Sequence, residues 1–332
     1  MTYSSGGLIQ ATDFNGFVST GSPNINNVWS TGSTDSGWGQ SALSTVSAGG
    51  TVTATNWASL VNTLASMGSQ TGTTITSRSA PTAGQTISVL AAVATDITNC
   101  NTNRGNAAAV GSAYATWTGA IAKTTGTGTG TNAWSITWTQ TVTFPSADQA
   151  RYFWNAGGRV ILNMSKTSTG TDNDPDWNTF VGKVGDLSFV GRVNGAAQTL
   201  AGTVFTGTTR SGGTGGTQTT LATTTGWYSL TAGAAATTIF QLNDDVSPYT
   251  GDTIIVTAAK NAGSTVLTLT TTWNSTSRAG AGQSTNISGG TDTASPFTAF
   301  GTAPAVLLRY VPPSTTYLSN SWGTPTLASS VA

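Results

Sequence analysis

Between Trp134 and Phe144 the chain alternates with a period of two. Trp134, Ile136, Trp138, Val142 and Phe144 share one face, and Ser135, Thr137, Thr139, Thr141 and Thr143 share the other. That period predicts a half-buried antiparallel strand. Pro145 stops it, because proline cannot donate to a ladder. Ser146 with Gln149 three residues on reads as a capping box that opens a short helix over 147–155. Gly157 and Gly158 then supply a left-handed helix end, and a second strand runs over 159–165.

Upstream the period changes to that of helices. Trp57, Leu60, Val61 and Leu64 fall at i, i+3, i+4 and i+7, with Gly68 as the expected stop. A second stripe of Ile87, Leu90, Val93, Ala94 and Ile97 predicts a helix over 86–99, and an Ala-rich run over 106–123 is open to a third. The segment 4–14 is echoed 43 residues later by 47–57: a Gly pair, a short extended piece, Thr, then Asp or Asn, then an aromatic. Two readings fit the echo, a duplicated docking element or two generic capped helix starts.

Downstream of 124–131, TTGTGTGT, strands dominate. One further helix is predicted where Asp174-Pro175 precedes Trp177, Phe180, Val181 and Val184, with proline at the first helical position. Strands are expected over 239–243, 253–259, 265–273 and 305–311, the middle two joined by a turn at Lys260–Ser264. The expected organisation is a small helical docking part (1–123), a Gly/Thr linker (124–131), an antiparallel β-sandwich-like domain with short helical insertions (132–313), and an extended tail (314–332). The fold class is therefore mainly β with helices, α+β.

The segment 147–165, and within it Ala150, Arg151, Tyr152, Phe153, Trp154, Asn155, Ala156, Gly157 and Gly158, resembles one recurring in virion structural proteins of tailed bacteriophages. The nearest likeness is to tail-fibre-like and baseplate-associated proteins of phages infecting marine bacteria and cyanobacteria. Trp154 stands where that family has phenylalanine. The stretches 4–15, 37–40 and 46–64 resemble the family's opening. The resemblance implies a virion component, assembled in a host cytoplasm, without enzymatic activity. Its expected partners are copies of itself, other virion proteins and, at a tail tip, a host-surface glycan. A carbohydrate-binding adhesin module and a head-decoration protein are the alternatives.

Composition agrees with work done by surfaces. Only 7% of the 332 residues are charged, against roughly 25% in ordinary domains, and the formal net charge is zero. A neutral chain lacks the basic footprint of a nucleic-acid binder and gives little colloidal repulsion between copies. Its longest apolar run, 87–94, is far short of the about 20 residues of a membrane span, and MTYSSGG carries no basic or apolar leader region, so no membrane insertion is expected.

The chemistry available is narrow. All twelve acids are Asp, no histidine occurs, and Cys100 is alone. This removes imidazole bases, imidazole metal sites and a disulfide framework. Paired-carboxylate hydrolysis would have to use Asp172, Asp174 or Asp176 and, separately, Asp244, Asp245 or Asp252. The run 172–176 looks like the start of a calcium loop, but Trp177 and Lys183 occupy the positions that need Gly and Glu. No metal or cofactor is expected. Of eleven tryptophans, Trp57, Trp134, Trp138 and Trp177 lie on core stripes. Trp227, Tyr228, Trp273 and Trp322 fall near strand ends or loops, and these are the candidate receptor contacts.

Overall fold

A computed structural model describes residues 10–82, 90–115, 134–167, 173–247, 249–275 and 302–331. The linker predicted at 124–131 and Asp172 lie outside these residues. The chain opens with α1 (Ala11–Asn15), which continues as a π-helical turn to Thr20, and α2 (Ile25–Trp29). The longer α3 (Ala54–Thr71) and α4 (Leu90–Thr102) follow. Thr53 caps α3 by accepting from the Asn56 N–H at 3.2 Å, and Asn56 reaches back to the Thr53 N–H at 2.9 Å. Gly68 does not stop α3. It sits inside the helix, and the stop is Gly72 in the left-handed conformation at φ +66°.

The 43-residue echo occupies equivalent places. Ala11 and Ala54 each begin a helix, Asp13 and Asn56 each accept from the backbone N–H three residues before, and Phe14 meets Trp57 edge-on at 5.7 Å.

Then come β1 (Tyr114–Ala115), β2 (Trp134–Thr143), α5 (Ala147–Asn155), β3 (Arg159–Thr167), α6 (Asn173–Val184) and β4 (Asp186–Val190). Four short strands follow: β5 (Gln198–Leu200), β6 (Thr203–Phe205), β7 (Thr208–Ser211) and β8 (Thr217–Leu221). The chain ends with β9 (Thr237–Asn243), β10 (Thr253–Lys260), β11 (Val266–Ser275), β12 (Thr302–Val311) and β13 (Thr326–Val331). One sheet runs β1-β12-β3-β4-β7 and the other β13-β2-β11-β10-β9-β8, with every pairing antiparallel. β5 and β6 form a separate ribbon.

The alternation of β2 is realised. Ile136, Trp138 and Val142 are buried, and β11 answers in register with Trp273, Thr271 and Leu267. Gln140 also points inward, where its amide donates to the Val306 carbonyl of the facing sheet at 3.0 Å. Val160, Leu162, Val306 and Leu308 supply the other side, so the architecture is α+β with a sandwich-like pair of sheets. α6 lies against β3 and places Trp177 parallel to Trp273, with ring centres 5.6 Å apart.

Two expectations about organisation change. The segment 106–123 does not continue as a helix over its described part. Ala107 instead exchanges backbone hydrogen bonds with Thr199 and Ala201, and Tyr114–Ala115 pairs with β12. Residues 314–331 are no loose tail. Leu318 and Trp322 are buried, Gln40 clamps the Ser319 backbone through both N–H and C=O, and β13 adds to the edge of β2. The weak apolar content of TLASSV hides this strand, because most of its stability comes from the ladder it joins.

The helical part is not a separately packed unit either. Phe14, Trp57 and Leu64 belong to the same buried cluster as Trp154, Phe189 and Trp273. The joint is the C-terminal end of α5. The Asn155 carboxamide donates to the Gly37 carbonyl at 3.0 Å and accepts from the Tyr228 hydroxyl at 2.7 Å, while its backbone carbonyl accepts from the Trp38 indole at 3.1 Å. Gln70 of α3 adds a bond to the Ala156 carbonyl. A Cβ on Gly158 would sit 2.6 Å from the Phe153 ring, so the glycine is required by close packing. Replacing Asn155 with Ala strands a buried carbonyl and a buried hydroxyl, and should cost about 2–4 kcal/mol in urea unfolding. A loss below about 1 kcal/mol would count against this joint.

Candidate functional site

Two places gather polar chemistry. The first unites both sets of carboxylates considered from sequence. α6 carries Asp176 and, two turns on, Lys183; the end of β9 leads to Asp244 and Asp245; Asp252 opens β10. Asp244 and Asp252 are buried, at 2% and 0% exposure. Lys183 donates to Asp244 at 3.1 Å and also to Asp245, which further accepts from the Gly216 N–H. Ser275 donates to Asp252 at 3.2 Å. α6 begins at Asn173, so Asp174 is its second residue and Pro175 its third, not its first as expected, and the Asp174 side chain lies outside the described set.

Asp176 meets Asp244 carboxyl to carboxyl. Burial, the hydrogen bond to Asp244 and the charges of Asp244 and Asp252 push the Asp176 carboxyl up to about 8, although Lys183 opposes them. Asp176 therefore holds a proton at neutral pH and donates it to Asp244, since two carboxylates in contact cannot both ionise at low cost. Burial pulls Lys183 down, but its bonds to Asp245 and Asp244 outweigh that and hold the ammonium above the ordinary lysine value. As a hydrolytic pair the arrangement is closed on itself. The partners are in hydrogen-bond contact, nearer than the roughly 5 Å or more that glycoside hydrolysis uses, and Asp244 is shut off from solvent. Among the described residues no group of three or more acidic or thiol side chains is arranged to hold a metal ion. Cys100 is fully buried, and burial beside Asp96 pushes its thiol up to about 12.

The second place is a cavity of about 450 Å³ at the junction of the helical part and the sandwich. Four segments wall it: Thr34 and Asp35 from an early loop, Ala147 and Arg151 from α5, the Trp227-Tyr228 turn, and Lys260 with Ser264 at the β10–β11 turn. Asp35 is held by Arg104 at 2.8 Å. Arg151 donates to the Thr31 carbonyl at 2.8 Å and pairs with Asp148 at 3.0 Å. The Lys260 ammonium lies 5.0 Å over the Trp227 ring and donates to the Trp227 carbonyl at 3.0 Å.

The four aromatic candidates separate. Trp227 and Tyr228 line the cavity, but Trp227 is buried between Lys260 and the stacked Trp154 ring, 5.5 Å away. Tyr228 is half-buried, with its hydroxyl committed to Asn155; burial in a low-dielectric setting drives its pKa far up. Trp273 is wholly buried between Trp138 and Trp177, and Trp322 is buried in the C-terminal segment. Neither of these two offers a ring to a receptor. Nearness to a strand end does not expose a ring here, because α6 covers Trp273 and the C-terminal segment buries Trp322. From sequence Arg151 belongs to the 150–158 resemblance and Lys260 to a turn; neither stands as a site residue there, since neither has a local binding motif.

The chain matches no protein-family model, no curated protein and no solved structure. No helix among the described residues is long and apolar enough to cross a membrane.

The Asp176–Asp244 pair makes a pH prediction. Unfolded, the Asp176 carboxyl titrates near 4; folded, near 8. Between these values the folded state keeps a proton that the unfolded chain releases, so this site's stabilisation is full below about pH 4 and is lost as pH rises through about 8. Asp176→Asn, whose amide donates to Asp244 at every pH, should flatten that decline in urea unfolding measured from pH 5 to 9. An unchanged slope would show that the pair is not protonated as described.

Proposed function

We propose that this protein is a structural subunit of a tailed-phage virion, most consistent with a tail-associated position such as a fibre, a fibre adaptor or a peripheral baseplate subunit. It works through assembly with copies of itself and neighbouring virion proteins rather than through catalysis. The observation that carries the assembly reading is the outer edge of β13. This strand pairs with β2 on one side, and among the described residues no strand pairs with the other. It has neither charge nor proline, and its side chains alternate between exposed and half-buried. Monomeric proteins usually blunt such an edge with lysine, proline or a bulge. An edge left plain, on a chain of zero net charge, suits pairing with another copy.

The phage assignment is supported by the resemblance of 147–165 to a virion segment; its core, 150–158, includes Asn155 at the joint between the helical part and the sandwich. The near absence of charge agrees with a surface meant to be covered by neighbours. Proteomics of purified particles should find the chain in multiple copies, and its absence from them would sink the proposal. On the isolated protein, lysines at the exposed positions Ala328 and Ser330 should shift the species seen by light scattering towards monomer. Their failure to change the oligomer would remove β13 as the contact.

A further inference from the structure

We infer that the cavity between Arg151 and Lys260 binds an acidic sugar, the two cations holding its carboxylate or sulfate and the surrounding hydroxyls and rings holding the rest. The inference does not depend on the particle assignment, because it concerns a ligand of the purified chain.

Lys260 is the first ground. It is half-buried, and a cation drawn out of water is normally paired with an anion, yet among the described residues no carboxylate bonds to this one. Its ammonium has three donors. One goes to the Trp227 carbonyl, and the Trp227 ring covers one side. Partial burial pulls its pKa below the ordinary lysine value.

Arg151 is the second. The carboxylate beside it, Asp148, has a side chain 57% exposed, so solvent weakens that pairing. The one acid on the cavity wall, Asp35, is already engaged by Arg104 and by the Asn194 N–H. The wall thus has two cations towards one committed acid. Ala147, also on the wall, is the first residue of α5, so the positive end of that helix adds to the field.

Size and lining select a sugar over an inorganic ion. About 450 Å³ falls in the range of small-ligand pockets, and it far exceeds what a sulfate needs. Thr34 and Ser264 bring hydroxyls, and the Tyr228 ring brings an apolar face suited to sugar C–H groups.

Calorimetry on the purified full chain would use glucuronate and glucose 6-sulfate as probes, with glucose and sodium sulfate as controls. Saturable binding of at least one acidic sugar is expected, at least about tenfold tighter than glucose, in line with a charge-assisted contact. Lys260→Met should weaken it about tenfold, and Lys260→Arg should retain it. Ala147→Glu leaves packing untouched, because that side chain is exposed and an acid is favoured at a helix start; it should abolish binding while unfolding at the wild-type temperature. Ala147→Glu keeps the test decisive if Lys260→Met fails to fold. No saturable binding of either acidic sugar at about 10 mM, where a Kd of a few millimolar would register, overturns the inference. So does glucose or sodium sulfate binding as tightly as the acidic sugars, or binding unchanged by Ala147→Glu.

Discussion

The structure depends on the buried amide of Asn155. One side chain at the end of a nine-residue helix ties a loop of the helical part, through the Gly37 carbonyl, to the β8–β9 connection of the sandwich, through Tyr228. Its own carbonyl receives the Trp38 indole. In a low-dielectric core each of these bonds is strong, and each broken one leaves a buried polar group unpaired. Around it Trp154 packs on Phe144, Phe153, Phe189 and Trp227, so a single aromatic cluster spans helix, sheet and loop. Helical part and sandwich are therefore one packed body. The cavity at their junction exists because α5 holds those segments side by side.

The few charges in this chain are spent in particular places. Arg104 with Asp35 and Arg78 with Asp96 tie loops to the helical part, and Lys183 joins α6 to the β9–β10 connection. Such pairs specify geometry more than they stabilise, because desolvation offsets much of their attraction. Two departures from pairing carry the chemistry: Asp176 and Asp244 share a proton where a second cation could have stood, and Lys260 is left without an acid. The outer sheet faces meanwhile rely on threonine and serine hydroxyls, which solvate a strand without repelling a neighbouring copy.

Much of the architecture was legible along the chain. The β2 alternation, the Ser146 cap, the α3 and α6 stripes and the β10–β11 pair all appear where the pattern places them, since period and capping are properties of neighbouring residues. Less legible were Gly68, which reads as a stop but is a packing glycine inside α3, and β13, whose small polar residues carry no strand signal. Of the candidate site, Trp227 and Tyr228 do line a cavity, while Trp273 and Trp322 are structural. A tryptophan's exposure depends on what packs over it, and nothing local encodes that.

By itself the sequence determined which residues turn inward, roughly where helices fall, and how little reactive chemistry the chain can hold, because those follow from residue type and short spacing. Only the tertiary structure decided which groups meet. Sheet register and the seating of α6 bring Asp176 against Asp244 and Trp177 against Trp273, and the β10–β11 turn carries Lys260 to the same cavity as Arg151. These pairings join residues far apart in the chain, and their energies depend on a shared low-dielectric interior that exists only once the two sheets and the helices have closed on one another.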